Sequence, residues 1–544
     1  MIPSFDLRTQ PFIPCLCKDG QVREFGLADV LTGAHDLLEL AGDTPLQTVA
    51  ILRLLLAILY RAMPFHTGEK EKWMEWWQQD TLPADAITGY LNAQEGFDLF
   101  HPARPFMQVG GMTMTNAAPL AVLANEAATG NNATLFDHRM DAAPPAYSPA
   151  QAARLLLTAQ AFALGFGKAA EATVNGKPLP RPYAADAIAL RGVTLFLSGT
   201  TLRETLLLNM APLPQDDEDE DNALPPWEQT DPLADLDKVI KGADGKDKRV
   251  SVGARGVVER YVWRSRMVRL LPDSDGLVRR VYFTQGREAD KSEGDPMKVF
   301  VTDKQFGRYA LGLNAGKSAW RDLQTYLLPD KGNDTVILRF VGARVQRSGY
   351  EDNPLPPGAQ YGLNVVGLAS DPGKAGKFLL WRHDRMSLPA ALLASDALRA
   401  FLKNGMGDAE AVDVTLRQRV YRVAFRFLPP DGNPDPKDVA HLMDALDPRP
   451  PFWARLETHF AHFVAGLAAE DTAPAALTEW RKNVEREASR ALHESCNQLG
   501  DSNRAIKAVA VVTFGFVADR ARLAQMAAEA KARKKNAKTK GATA

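Results

Sequence analysis

Arg382-His383-Asp384-Arg385-Met386-Ser387-Leu388-Pro389 marks the place where this sequence changes character. Before it, short apolar runs are broken by glycine, proline and polar turns, the texture of strands joined by ordered loops. After it come long amphipathic stretches: Pro389 to Leu402, Ala409 to Phe427, Pro436 to Ala468 with a break at Pro448 to Pro451, Pro474 to Gln498, and Arg504 to about Ala532. Ala, Leu, Glu and Arg dominate there, with proline and glycine mainly at the boundaries, so this third predicts packed helices. The expected fold class is α+β. A large mixed α/β domain should occupy 1–383, a C-terminal four-helix bundle 384–535 and a basic, disordered tail 536–544.

At 544 residues the chain exceeds what one hydrophobic core usually serves, which agrees with two domains. Its three cysteines, Cys15, Cys17 and Cys496, are too few for a disulfide framework or a four-thiolate zinc site and point to a reducing, cytoplasmic setting. The start lacks a basic region followed by an apolar run. The most apolar stretch, Val49 to Tyr60, is interrupted by Arg53 and falls short of the ~20 residues that span a bilayer, so neither a signal peptide nor a membrane helix is expected.

The formal net charge is −1, whereas a protein that coats a polyanion by itself is usually strongly basic. Any nucleic-acid contact must therefore be local. The acidic run Asp216 to Asp221, inside an expected exposed linker at 212–226, and the basic run Lys531 to Lys540 read as solvated segments. Lys238 to Arg287, rich in valine, tyrosine and arginine, predicts strands with positively charged faces and is the expected electrostatic footprint.

Local signals place several elements. Lys18-Asp19-Gly20 between apolar runs predicts a β-hairpin, and Asp43-Thr44-Pro45 predicts the N-cap and first turn of a helix running to Ala62. Trp73, Trp76 and Trp77 share one helix face, read as core and not as a stacking platform. Leu99 to Gly111 predicts an ordered loop. Ser148-Pro149 opens a helix over Ala150 to Phe162, and Gly165-Phe166-Gly167-Lys168 ends it with glycines that let backbone approach a partner closely.

Catalytic motifs are missing. The cysteines form no C-x-x-C pair, and His459 and His462 have no carboxylate in register. Gly165-x-Gly167-Lys168 has neither the glycine spacing nor the Ser or Thr of a P-loop. Asp137-His138 and His383-Asp384 look like acid–base pairs, yet adjacent residues do not normally face one another and no nucleophile is placed beside them; both read as structural.

Phe12-Ile13-Pro14, His101 to Gln108, Leu135-Phe136-Asp137-His138, Gly165-Phe166-Gly167, Leu202 to Asn209, Pro226-Trp227 and Arg382-His383-Asp384 occur in an order that resembles the large subunit of the type I-E CRISPR surveillance complex Cascade, the CasA family. The resemblance spans nearly the whole chain. It implies a non-catalytic subunit that reads a protospacer-adjacent motif in duplex DNA, promotes duplex opening and R-loop formation with the guide RNA, and recruits a helicase-nuclease. Guide pairing supplies long sequence specificity, so protein needs to read only a short duplex motif. A scaffold without direct motif reading, or a metal-dependent nuclease, are the alternatives.

Site residues follow from the same resemblance. Gly165, Phe166, Gly167 and Lys168 match the family's motif-reading loop, although Lys168 stands where another glycine is expected. Arg287 and Lys291 fall in its basic finger. Gly373, Lys374, Ala375 and Gly376 fall at the tip of its wedge hairpin, here without the usual glutamine. Leu135, Phe136, Asp137, His138 and Arg139 match the loop that meets the 5′ end of the guide crRNA and the backbone subunits. Leu271 to Gly276 replaces a zinc knuckle found in some members, so no metal or other cofactor is expected. The helical third should meet the small subunits and guide the displaced strand, with Arg417, Arg419 and Arg422 as candidates. Convergence of Gly167, Arg287 and Lys374 on one groove is the geometric expectation.

Overall fold

The computed structural model describes residues 4–513 apart from 128–142, 180–184, 216, 218–221, 230, 232, 234–238, 242–246, 250–252, 289–293, 304, 306, 328–334, 372–375 and 430–432. The chain divides into two units, Met1–Leu393 and Ala394–Ala544.

In the first unit, β1 (Ile13–Cys17) and β2 (Val22–Phe25) form the expected hairpin, with Gly20 at φ +79°, and β3 (Leu37–Leu40) pairs with the other edge of β1. Helix α1 (Pro45–Ala62) starts where Thr44 Oγ1 accepts from Gln47 N at 3.2 Å. By length and composition α1 could cross a membrane, contrary to the expectation that its apolar run is too short, but 78% of it is buried inside protein. The charge that interrupts it is neutralised there: Arg53, fully buried, pairs with Asp295 at 2.7 Å and donates to the Arg260 carbonyl at 2.8 Å. Helix α2 (Lys70–Gln78) buries Trp73 and Trp76, and Trp73 Nε1 donates to the Leu207 carbonyl at 3.0 Å, so the tryptophan face is core.

Helix α3 (Pro149–Phe162) carries a complete capping box between Ser148 and Gln151. Next come β4 (Thr194–Ser198), α4 (Leu202–Asn209), and the antiparallel pair β5 (Arg266–Pro272) and β6 (Val278–Gln285). A long hairpin, β7 (Gln360–Ser370) and β8 (Phe378–Pro389), completes a sheet of order β8-β7-β4.

The two units divide after Leu393, where the sequence places the boundary after 383, and Arg382-His383-Asp384 lies in the middle of β8. Within the expected linker Pro214, Gln215, Asp217 and Asn222 are exposed, while Leu213, Ala223 and the adjoining Trp227 are buried and Leu213 N donates to the Phe65 carbonyl at 2.8 Å. Several arginines of the basic stretch turn inward, although Arg255 is exposed. Arg260, Arg264, Arg266 and Arg287 are all buried, and Arg279 is tied to Asp273 and Asp275 across the β5–β6 turn. Inward arginines reflect demand for donors: a guanidinium carries five N–H groups and can satisfy several buried carbonyls at once.

Among the described residues the second unit contains α5 (Asp396–Phe427), α6 (Pro436–Ala445), α7 (Arg449–Gly466), α8 (Ala473–Asn497) and α9 (Asn503–Thr513). Helices α5, α7, α8 and α9 form the four-helix core and α6 flanks α5. Two predicted stretches fuse into α5, because Gly405 packs instead of breaking the helix. A Cβ there would lie 2.6 Å from the ring of Phe463, and Trp480 Nε1 donates to the Gly405 carbonyl at 2.8 Å.

Candidate nucleic-acid interface

The end of α3 makes the foundation of the site. A helix C-terminus leaves carbonyls unsatisfied, and here side chains from elsewhere take them up. Asn125 Nδ2 donates to the Phe162 carbonyl at 2.7 Å. Arg266, at the start of β5 and wholly buried, donates through Nη2 to the carbonyls of Ala163 and Leu164, each at 3.0 Å, and of Ala185 at 2.7 Å. Its Nη1 donates to Gln285 Oε1 at 3.0 Å. Burial pushes the Arg266 guanidinium down to about 10, still protonated at neutral pH. Asp186 Oδ1 accepts from Gly165 N at 2.8 Å. The foot of the loop is thus held by a carboxylate, an amide and a guanidinium.

From this foot the chain turns outward. Gly165 is buried, Phe166 half-buried, and Gly167 and Lys168 exposed. The Phe166 ring lies 5.6 Å from the Phe283 ring of β6 and 5.6 Å from the Arg266 guanidinium carbon. At Gly167 a Cβ would have nothing within 4 Å. The tip therefore offers backbone without side-chain bulk, next to one lysine ammonium.

Against the same loop sits Gly376, shortly before β8. Gly376 has φ +74°, and a Cβ there would lie 3.0 Å from the Gly165 carbonyl oxygen and 3.7 Å from Phe166 Cβ. Gly376 and the loop at Gly165 and Phe166 are therefore neighbours. Gly373, Lys374 and Ala375 lie outside the described residues, as do Lys291 and the whole of Leu135, Phe136, Asp137, His138 and Arg139.

Arg287 is placed differently from the expectation of a basic finger. Its side chain is 6% exposed, Nη1 donates to Glu259 Oε1 at 2.6 Å, and the guanidinium stacks 3.9 Å from the Trp263 ring centroid. Gly286 permits this approach, since a Cβ would meet the Arg264 carbonyl at 2.6 Å. In this structure Arg287 holds the end of β6 and lines no groove with Gly167.

His383 and Asp384 point to opposite faces of β8, as successive strand residues must. His383 Nε2 lies 2.9 Å from Asn364 Oδ1, and Asp384 accepts from Ala319 N at 2.7 Å, so they are not an acid–base pair. Burial lowers the His383 pKa. Among the described residues no three His, Cys, Asp or Glu side chains gather as a metal site would require. In α5, Arg417 and Arg422 are exposed, but Arg419 is buried and cannot meet a displaced strand from that position.

A family model described as CRISPR-associated protein Cse1 matches residues 6–491. The chain belongs to the Cse1 family. CRISPR-associated protein CasA/Cse1 of Thermus thermophilus is 32% identical to this Cse1-family chain over 523 residues, 94% of the chain and 96% of the relative. The crystal structure of Thermus thermophilus CasA superposes with a TM-score of 0.76 at 28% identity, covering 94% of this chain and 98% of that one. A chain of a structure described as a CRISPR RNA-guided surveillance complex superposes at 0.70 and 21% identity, covering 94% and 99%, a likeness that shows the fold alone.

Arg266 is the residue that sequence reading missed. It was one arginine among many in Lys238 to Arg287, and nothing in residue type or spacing separates a buried arginine that gathers carbonyls from an exposed one that meets phosphate. Gln285, whose Oε1 accepts from both Arg266 and Ala185 N, is invisible for the same reason.

Proposed function

We propose that this Cse1-family chain is the non-catalytic large subunit of a cytoplasmic type I-E CRISPR surveillance complex (Cascade). In this reading it recognises the protospacer-adjacent motif of target duplex DNA through the minor groove, promotes duplex opening and R-loop formation with the guide crRNA, and recruits the helicase-nuclease. Its other partners are the backbone and small subunits.

One observation carries the DNA-reading part: an exposed, nearly side-chain-free tip at Gly167, on a foot tied down by Arg266, Asn125 and Asp186. Backbone amides and carbonyls can reach base edges only where no Cβ intervenes, and a rigid foot avoids an ordering cost on binding. The minor groove separates A·T from G·C but little else, so readout by such a tip tolerates several related motifs. A near-neutral chain suffices because guide pairing supplies the long specificity. Lys168 adds a phosphate contact beside the tip.

The test is binding of the reconstituted complex, with and without this subunit, to guide-matched duplexes with randomised bases beside the target, at fixed salt. Gly167→Asp places charge and bulk at the tip. It should abolish motif preference while leaving complex assembly intact. Preference that survives either the substitution or removal of the subunit makes the chain a scaffold or recruiter.

A further inference from the structure

Three stretches with marked sequence signals, Asp43-Thr44-Pro45, Leu202 to Asn209 and Arg382-His383-Asp384, contribute to one cavity of about 210 Å³ between the start of α1, the end of β3 and the β8-β7-β4 sheet. Its floor is apolar and buried, made by Leu52, Phe196 and Leu202. Glu39, Asp43, His383 and Arg385 stand at its mouth and reach solvent. The volume is below the ~300–1,000 Å³ of sites that enclose a whole cofactor. It suits a single side chain.

A chain of hydrogen bonds fixes which atoms the cavity offers. Ser198 Oγ donates to the Gly362 carbonyl at 3.3 Å and so must accept from Asn364, whose Nδ2 lies 3.1 Å from both oxygens. That turns the buried Asn364 amide with Oδ1 toward His383 Nε2, 2.9 Å away, and Nε2 therefore carries the proton. Burial lowers the His383 pKa, so at neutral pH the ring keeps Nδ1 as a bare acceptor. Arg385 Nη1 donates to Glu39 Oε2 at 2.8 Å, and Arg154 Nε to Asp43 Oδ2 at 3.3 Å. Among the described residues no donor reaches Glu39 Oε1, Asp43 Oδ1 or His383 Nδ1.

Acceptors thus outnumber donors at the mouth, above an apolar floor whose Phe196 ring lies 6.5 Å from the His383 ring. A guanidinium answers both demands: it presents five N–H groups, stacks on aromatic faces and rides on an apolar stem. Two carboxylates oppose a phosphate, and Glu39, Asp43 and His383 do not gather as a metal site requires. We propose that the cavity takes an arginine side chain of a neighbouring protein subunit, its guanidinium bound by Glu39, Asp43 and His383 and its stem laid on Leu52 and Leu202. This requires the chain's membership of the surveillance complex, and not its motif reading. In the free chain Arg385 is the internal cation that holds Glu39, and the incoming arginine competes with it.

The experiment titrates the full chain onto an immobilised complex reconstituted without it, at neutral pH and fixed salt, and reads affinity by biolayer interferometry. Glu39→Gln and Arg385→Met remove the same exposed ion pair, which contributes little to folding, so a mere brace would make the two variants alike. In the proposed site they differ in sign. Glu39→Gln and Asp43→Asn should each weaken assembly roughly tenfold, as loss of one charge-assisted hydrogen bond does, and Arg385→Met should tighten it severalfold. Excess N-acetyl-arginine amide should compete with the parent chain, and the neutral isostere N-acetyl-citrulline amide should not. Thermal melts of all three variants should match the parent.

Equal losses in Glu39→Gln and Arg385→Met would reduce the pair to a brace. A gain in Glu39→Gln with a loss in Arg385→Met would make the occupant an anion, and unchanged affinity in Glu39→Gln and Asp43→Asn would leave the cleft to solvent. Equal competition by the citrulline amide would remove the guanidinium. Each of these results overturns the site. The two readings fail separately: motif preference that survives Gly167→Asp removes the reading function and leaves the cavity standing, and unchanged assembly in Glu39→Gln does the reverse.

Discussion

Glu259 and Arg287 form an ion pair whose side chains are 4% and 6% exposed, with the guanidinium stacked on Trp263. Removing one partner of such a pair leaves an uncompensated buried charge and costs about 3 kcal/mol or more. Arg287→Met should therefore lower the unfolding free energy of the purified chain, read from urea titration, by that amount, as well as disturbing any DNA contact made nearby. A midpoint equal to the parent's, with reduced DNA affinity, would return Arg287 to the basic finger. The sequence places this arginine in the family's finger segment, but the tryptophan and glutamate that capture it lie 24 and 28 positions away. Residue type names the charge and not its partner.

Helix α5 shows how an element can contradict its local signals. Asn404-Gly405-Met406-Gly407 reads as a break, because glycine is a poor helix former. The helix continues from Asp396 to Phe427 because Gly405 buries its bare backbone under Phe463 and Trp480, which stack at 5.2 Å. Tertiary packing offsets the propensity. Filling that contact forces side chains off their rotamers, so Gly405→Val should destabilise the helical unit by about 1–3 kcal/mol. Thermal melting followed by circular dichroism at 222 nm checks this; an unchanged melt would mean that the glycine is not a packing residue. The signals that did hold at this scale are local ones: the Thr44 and Ser148 caps and the Gly20 turn all depend on neighbours within a few residues.

For the whole molecule the decisive quantity is where charge points. A net charge of −1 combines with arginines 260, 264, 266 and 287 turned into the core, so these four add little positive surface. The logarithm of DNA affinity falls with the logarithm of salt at a slope of about −0.9 per phosphate neutralised. Complexes with and without this subunit should therefore differ in slope by less than about 3, corresponding to a few phosphate contacts such as Lys168 provides. A larger difference would place a basic face elsewhere on the subunit.

What the sequence determined by itself is whatever short-range chemistry dictates. That includes the mixed N-terminal part and helical C-terminal third, the capped helices, the opening hairpin and, through the order of its motifs, the family. The exposed tip at Gly167 was legible because glycine spacing is a local property. Only the tertiary structure decided that Gly376 abuts Gly165, that Phe166 faces protein, that Arg266 ties down the loop foot and that Arg287 is buried. Each of those facts depends on contacts between residues about 20 to more than 200 positions apart, of the kind Arg53 makes with Asp295. Burial decides whether an arginine serves a carbonyl or a phosphate, and burial is a property of the packed chain and not of any residue in it.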